Sequence, residues 1–305
     1  MSTNKLWSGV WLLFIAGLVG KVISAFYRVP LQNLTGDTGF YIYQQIYPIL
    51  GTATILALYG FPSAIAQFYA EYPREEKNKG LYGRIFIVLS VFSVLVFGLL
   101  YSLSPVFSSW MKDDTIATVM RQSVWVFLIV PITALLRGVF QARGRWEYFA
   151  GSQVIEQVAR ATIIVITAIL IWYGGIGLMS IGAGAALGSM LGLLLAAIYL
   201  LVHSSKLDVI GGSNTNTLPY RQIISSIIGS GLIISMNHML LLLMQMADAF
   251  TVVPGLLKMG ISLSEATEWK GIVDRGQPLL QLVTITGSSI VIALVPSLTK
   301  HHLLT

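Results

Sequence analysis

The sequence contains no cysteine. Disulfides, thiolate metal sites and thiol nucleophiles are therefore excluded together. Charge is scarce too. Asp, Glu, Lys and Arg make up 10% of the 305 residues, where soluble domains carry roughly 25%. The histidines are His203, His238, His301 and His302, and none has metal-ligand spacing with a carboxylate. No phosphate-cradling loop occurs. An embedded transferase needs acid, base and nucleophile at one membrane depth, and the sequence offers no such cluster. The chain is read as a non-enzyme, with no catalytic residues, no metal and no cofactor.

Apolar residues are abundant instead. They are 55% of the chain, and mean hydropathy is +0.76. A soluble fold of this size cannot hide so much apolar surface. A bilayer can, and a helix needs about 20 apolar residues to cross it. The runs are continuous rather than alternating, which favours helices over barrel strands. The expected fold is all-α, a polytopic membrane helix bundle of about eight spans. They cover residues 6–27, 40–69, 85–107, 120–141, 154–173, 177–203, 223–247 and 279–298. No charged residue stands between Arg160 and Lys206. That stretch is too long for one span, and Gly174-Gly175 divides it. The first run is not a signal peptide, because Lys21 interrupts it and further spans follow.

The net charge is +6 and the isoelectric point about 9.5. The basic residues cluster at span ends, so membrane topology explains them and nucleic acid does not. With the N-terminus cytoplasmic, the inner side holds Lys5, Arg74, Lys77, Lys79, Arg84, Arg137, Arg143, Arg145, Lys206, Arg221 and Lys300. The outer side holds Arg28, Lys112, Arg121, Lys258, Lys270 and Arg275. This bias predicts a multi-pass protein of the cell membrane with a cytoplasmic N-terminus. The outer connection of residues 248–277 includes Leu256, Leu257, Ile261, Leu263, Ser264 and Thr267. It predicts a short helix at the membrane surface. Lys112-Asp113-Asp114 reads as a solvated turn.

Ionisable residues inside spans are costly and point to function. Lys21 and Arg28 are i, i+7 on nearly one face of the first span. Together they line a cavity for an anion, or else they reach the interface by snorkelling. Glu156 and Arg160, at i, i+4, pair on the fifth span near its cytoplasmic end. Their reading is a structural intramembrane pair. Asp274 and Arg275 precede the eighth span and Asp248 closes the seventh. They face a central cavity or the interface. Gln44 and Gln45, with Tyr41, Tyr43 and Tyr47, give the second span a polar, aromatic face. Such faces bind sugars or anchor a helix at the interface. Asn237 and His238 lie mid-span, and a lone buried histidine usually satisfies a neighbour. Gly182, Gly184, Gly188 and Gly192 supply a small-residue face for close helix contact.

Three ordered blocks carry a resemblance. The first is Gly20-Lys21-Val22-Ile23-Ser24-Ala25-Phe26-Tyr27-Arg28-Val29-Pro30, with Gly36-Asp37 and Tyr41-Ile42-Tyr43-Gln44-Gln45-Ile46-Tyr47-Pro48. The second is Phe140-Gln141 with Ser152-Gln153-Val154-Ile155-Glu156-Gln157-Val158 and Arg160. The third is Asp274-Arg275-Gly276-Gln277-Pro278-Leu279 with Val295-Pro296-Ser297-Leu298. The chain resembles the stage V sporulation protein B-like branch of the polysaccharide and lipid-linked-saccharide flippases. That branch sits in the multidrug/oligosaccharidyl-lipid/polysaccharide (MOP) exporter superfamily.

The resemblance implies about fourteen spans in two pseudo-symmetric lobes, working by alternating access. It implies a cargo with a lipid diphosphate and sugars. By position, Lys21 resembles the family's first-span cation and Asp274-Arg275 its eighth-span pair. Arg28 lies near a second family cation. Lipid II flippases carry charges in the second span, where this chain has Gln44 and Gln45. Substrate binding is expected at Lys21, Arg28, Gln44, Gln45, Asp274 and Arg275. Residues 1–210 correspond to one six-helix lobe and 211–305 to the start of a second. The chain is therefore expected to be a fragment, a truncated product or half of a split protein. Its partners would be the lipid-linked saccharide, membrane lipids, a missing C-terminal half or envelope-synthesis enzymes. Two other readings stand beside the flippase: a drug/cation antiporter of the same superfamily, and a non-transporting scaffold or inactive fragment.

Overall fold

Long apolar runs in a bilayer must pair every backbone amide within their own segment, which forces helix. The computed structural model describes residues 3–72, 79–207 and 218–276. The elements are α1 (Thr3–Ile55), α2 (Phe61–Glu71), α3 (Lys79–Met111), α4 (Ile116–Ser123) and α5 (Val130–Ala142). Then follow α6 (Trp146–Trp172), α7 (Ser180–Val202), α8 (Tyr220–Ile223), α9 (Ser230–Lys258) and α10 (Leu263–Asp274). Six helical stretches are long and apolar enough to cross a membrane: Trp11–Glu71, Gly80–Met111, Ile116–Ala142, Trp146–Trp172, Ser180–Val202 and Tyr220–Lys258.

The first of these stretches is two crossings. At Gly36 the backbone leaves the helix (φ 67°, ψ −171°), a left-handed φ that glycine adopts at no steric cost. Beyond it the chain runs back on itself. Tyr27 and Tyr43 share a hydroxyl–hydroxyl bond of 2.5 Å although they are 16 residues apart. In an unbroken helix they would be about 24 Å apart. Arg28 lies 4.7 Å over the Tyr47 ring, as antiparallel arms around Gly36 require. The described residues thus hold seven crossings, matching the first seven expected. The eighth, at 279–298, lies outside the described residues.

Glycine sets the closest helix contacts. A Cβ at Gly184 would meet Thr167, and one at Gly192 would lie 2.7 Å from the Glu156 carbonyl. The expected small face of α7 therefore packs on α6. Gly60 and Gly231 make a second crossing. A Cβ at Gly60 would come 2.7 Å from the Gly231 carbonyl. Here the second crossing meets the one built from α8, a π-helical segment (Ile224–Gly229) and α9. Large apolar side chains such as Leu95, Leu99, Leu195 and Ile198 remain exposed, as a lipid-facing surface requires.

α10 is the short helix expected in the 248–277 connection. Its cap is Ser262, whose hydroxyl accepts from the Glu265 amide at 3.3 Å, as N-cap serines do. Leu256 and Leu257 belong instead to α9, which continues to Lys258. α10 rests on the Gly36 turn, where a Cβ at Gly271 would lie 2.2 Å from the Asp37 carbonyl.

Two charges lie deeper than expected. Arg137, read as an inner-side charge near the end of the fourth span, lies in α5 and is fully buried, with the turn following at Gly144 (φ 63°). Asp113 is not solvated. It is buried and accepts bonds from the Tyr41 hydroxyl at 3.1 Å and the Thr115 amide at 3.1 Å.

Candidate functional site

Among the described residues, two clusters of buried polar groups stand out inside the bundle. The first grows from a helix defect. Residues Leu56–Gly60 form a π-helical turn, and the Phe61 amide bonds the Leu56 carbonyl five residues back. The next such bond would run from residue 62 to Ala57, but Pro62 has no amide hydrogen. Arg137 supplies the donor, from Nη1 to the Ala57 carbonyl at 3.3 Å. Its Nε bonds Ser152 at 3.0 Å and its Nη2 bonds Glu156 at 2.8 Å. Glu156 also pairs with Arg160, which donates to Thr54 at 2.8 Å. The expected Glu156–Arg160 pair is therefore a triad, tying the second crossing to α5 and α6. Arg137 and Glu156 are both 0% exposed. Sequence reasoning missed Arg137, because the partner that marks it lies 19 residues away and only the fold brings them together.

The second cluster lies toward the Gly36 end. Arg28 is 0% exposed, and none of its three guanidinium nitrogens has a hydrogen-bond partner. Its company is aromatic: the Tyr47 ring beneath it and the Tyr27–Tyr43 hydroxyl pair beside it. A cation–π contact offsets only part of the cost of an unpaired buried charge. Of the two readings of this aromatic face, sugar binding or interface anchoring, Tyr43 does not fit the anchor, because it is buried.

Beside this region is a polar cavity lined by Gln44, Gln45, Gln245, Asp248, Lys270 and Asp274. Its free space is about that of one water molecule. Gln44 Oε1, Gln45 Oε1 and Asp274 Oδ2 are buried and accept no hydrogen bond. Lys270 Nζ pairs with Asp274 Oδ1 across one turn of α10. Burial, the largest influence, pushes the Asp274 carboxyl above the ordinary carboxylate range. Lys270 and Arg28 pull it down, and Asp248 adds to the rise.

The structure thus brings Gln44, Gln45 and Asp274 together, with Arg28 close enough for its charge to reach Asp274. Lys21 and Arg275 do not line this cavity. Lys21 shares a helix face with Arg28 but not its depth, and it is exposed. It is near enough to His238 for its charge to be felt there, and His238 itself stacks on Tyr59 at 4.3 Å. Arg275 pairs with Asp37 at the Gly36 turn, its side chain 45% exposed. Lys270 and Gln245 were missed. The Lys270–Asp274 spacing of four on an amphipathic helix was the available signal for the first. Among the described residues, no group of three or more His, Asp and Glu is placed to hold a metal ion.

Comparison with known proteins gives a consistent set of relatives. A family model described as polysaccharide biosynthesis protein matches residues 6–302. The chain is 37% identical over 295 residues to the uncharacterized membrane protein YabM of Bacillus subtilis (strain 168), covering 95% of this chain and 55% of that protein. It is 29% identical over 207 residues to stage V sporulation protein B of the same organism, covering 66% of this chain and 39% of that protein. It is 26% identical over 215 residues to the lipid II flippase MurJ of that organism, covering 65% and 39%. Among solved structures it is similar to a MOP superfamily transporter from Pyrococcus furiosus, with TM-score 0.53 and 16% identity, over 95% of this chain and 70% of that one. That likeness shows the fold. The chain spans about half, or less, of the length of the curated relatives it matches.

Proposed function

The chain belongs to the polysaccharide biosynthesis protein family, within the MOP superfamily, and on that premise we propose that it is the N-terminal part of a flippase for a lipid-linked saccharide. It is a multi-pass membrane protein whose curated relatives include a protein named as a lipid II flippase. In the proposed reading, residues 1–210 form one lobe and 211–305 begin a second. The N-terminus lies in the cytoplasm. The cargo crosses the cytoplasmic membrane by alternating access between the lobes.

The observation that carries the reading is Arg28. A fully buried guanidinium without a carboxylate partner is costly, and an anion entering between the lobes relieves that cost. The diphosphate of the cargo is such an anion. Lys21, exposed at another depth of the same helix, and Arg275, half-exposed at the Gly36 end, extend the positive path along which it moves. Gln44 and Gln45 meet the sugar only once the lobes part, because the closed cavity has no room for a ring. Asp274 orients the cations around it.

The test uses proteoliposomes holding the transporter with both lobes and a polyprenyl-diphosphate saccharide. Lys21→Ala and Arg275→Ala each lower translocation at least tenfold while leaving membrane insertion intact. Full translocation by both variants would remove the proposal.

The antiporter reading draws on Asp248 and Asp274, since carboxylates attract cationic drugs. Transport of a cationic dye without translocation of the saccharide would favour it over the flippase.

A further inference from the structure

We propose that His238 is a second contact for the anionic head of the cargo, acting with Lys21, and that Tyr59 positions its ring. The inference rests on the flippase reading above and adds a residue to it. It starts from the seam between α9 and the second crossing. Gly231, Ser235, His238 and Leu242 follow one another at spacings of four, three and four, which puts them on one helix face. Each meets the second crossing. A Cβ at Gly231 would run into Phe61, one at Gly60 into Ser235 and one at Gly51 into Leu242. His238 stacks on Tyr59, with ring centroids 4.3 Å apart and planes 12° from parallel. Gly231, Ser235 and Leu242 are buried, while His238 is exposed. The seam is closed on either side of the imidazole and open at it.

Small and apolar residues suffice to close such a seam, so packing alone does not call for a titratable ring. His203 shows how a structural histidine is held. It is partly buried, its Nδ1 lies 2.8 Å from the Tyr199 carbonyl, and its ring packs on Tyr148 and Tyr199. His238 instead lies beside the first crossing, where Lys21 is exposed and close enough for its charge to be felt at the ring. Two groups that can both be cationic sit side by side at a cost, and an anion between them removes it. The diphosphate of the cargo is such an anion. Neutral imidazole donates one N–H and imidazolium two, and the charged donor bonds an anion more strongly.

Tyr59 holds the ring in place. It belongs to the π-helical turn that Arg137 caps at the Ala57 carbonyl, and the Gln153 side chain bonds its hydroxyl. The charged and titratable groups around His238 are thus Lys21 from the first crossing and Tyr59 from the second, with Glu156 and Arg137 behind Tyr59. Of these groups, imidazole is the one whose ordinary titration falls between pH 5 and 8. A diphosphate esterified at both ends gains no proton in that range. Affinity that rises as the pH falls through it therefore reports proton uptake by the imidazole.

The experiment is isothermal titration calorimetry of farnesyl-diphosphate N-acetylglucosamine into the transporter with both lobes, in detergent. The parent is expected to bind roughly tenfold more tightly at about pH 5.5 than at about pH 8. His238→Gln stays near the parent's alkaline affinity at both, and Tyr59→Leu shrinks the step severalfold. His238→Lys, with a fixed charge, binds under alkaline conditions as tightly as the parent does under acid, which a damaged fold does not do. Equal affinity of the parent at both pH values, a step that survives in His238→Gln, or alkaline affinity not raised in His238→Lys would each overturn the role of His238 and leave the flippase reading standing. A parent that binds no saccharide at either pH overturns both.

Discussion

Among the described residues, two regions that bury charge do it in opposite ways. Around Glu156 the charges answer one another: two guanidinium groups meet one carboxylate, and Ser152, Thr54 and the Ala57 carbonyl take further donors. Around Arg28 and Gln45 they do not. Arg28 has no carboxylate partner and only the Tyr27 hydroxyl as a close acceptor, and three oxygens around the polar cavity have no donor. The first arrangement is what a structural core looks like when polar groups must be inside it. The second is costly as it stands, and proteins keep such costs where something binds or moves. Burial alone does not separate the two. Satisfaction does.

Substitutions break or sharpen this contrast. The largest effect belongs to Glu156→Leu, which leaves Arg137 and Arg160 buried and unpaired. A loss of about 3–5 kcal/mol is expected, seen as a collapse of the monodisperse peak in size-exclusion chromatography of detergent extracts. Gly271→Val comes next. Its side chain would drive into the Asp37 carbonyl, which is backbone and cannot turn away, at a cost of about 1–3 kcal/mol. The absence of native cysteine makes the check direct: cysteines placed at Asp37 and Arg275 cross-link in the parent and fail to do so with Gly271→Val. Arg28→Met is expected to behave unlike Glu156→Leu. Replacing an unpaired buried charge by an apolar side chain is neutral or stabilising, so the thermal midpoint holds or rises. Asp37→Asn should matter least. Its pair with Arg275 is partly exposed, and such pairs contribute about 0–1 kcal/mol, within the scatter of a thermal melt.

Much of the scaffold was legible in the sequence, because hydropathy and helix length are local properties. Seven crossings fall where apolar runs and charged ends put them. Glu156–Arg160 and the glycine face of α7 were legible for the same reason, since spacings of three and four are fixed by the helix itself. The unsatisfied region was only half legible. Gln44, Gln45, Asp248 and Asp274 stood out as polar groups at span depth. Arg137 and Lys270 were read only as charges of the inner and outer sides: the Glu156 that pairs with Arg137 lies 19 residues away, and the i, i+4 spacing of Lys270 with Asp274 went unread. The same local view put Lys21 with Arg28. A shared helix face says nothing about depth, and depth decides that one is covered by Tyr47 while the other is not.

The central claim is that the unsatisfied region serves binding while the satisfied one serves folding. The most direct test measures translocation and thermal midpoint together for Arg28→Met in proteoliposomes holding both lobes. The account predicts a midpoint at or above the parent's, with translocation of the lipid-linked saccharide reduced at least tenfold. Parental translocation, or a midpoint that falls as far as it does for Glu156→Leu, would contradict it.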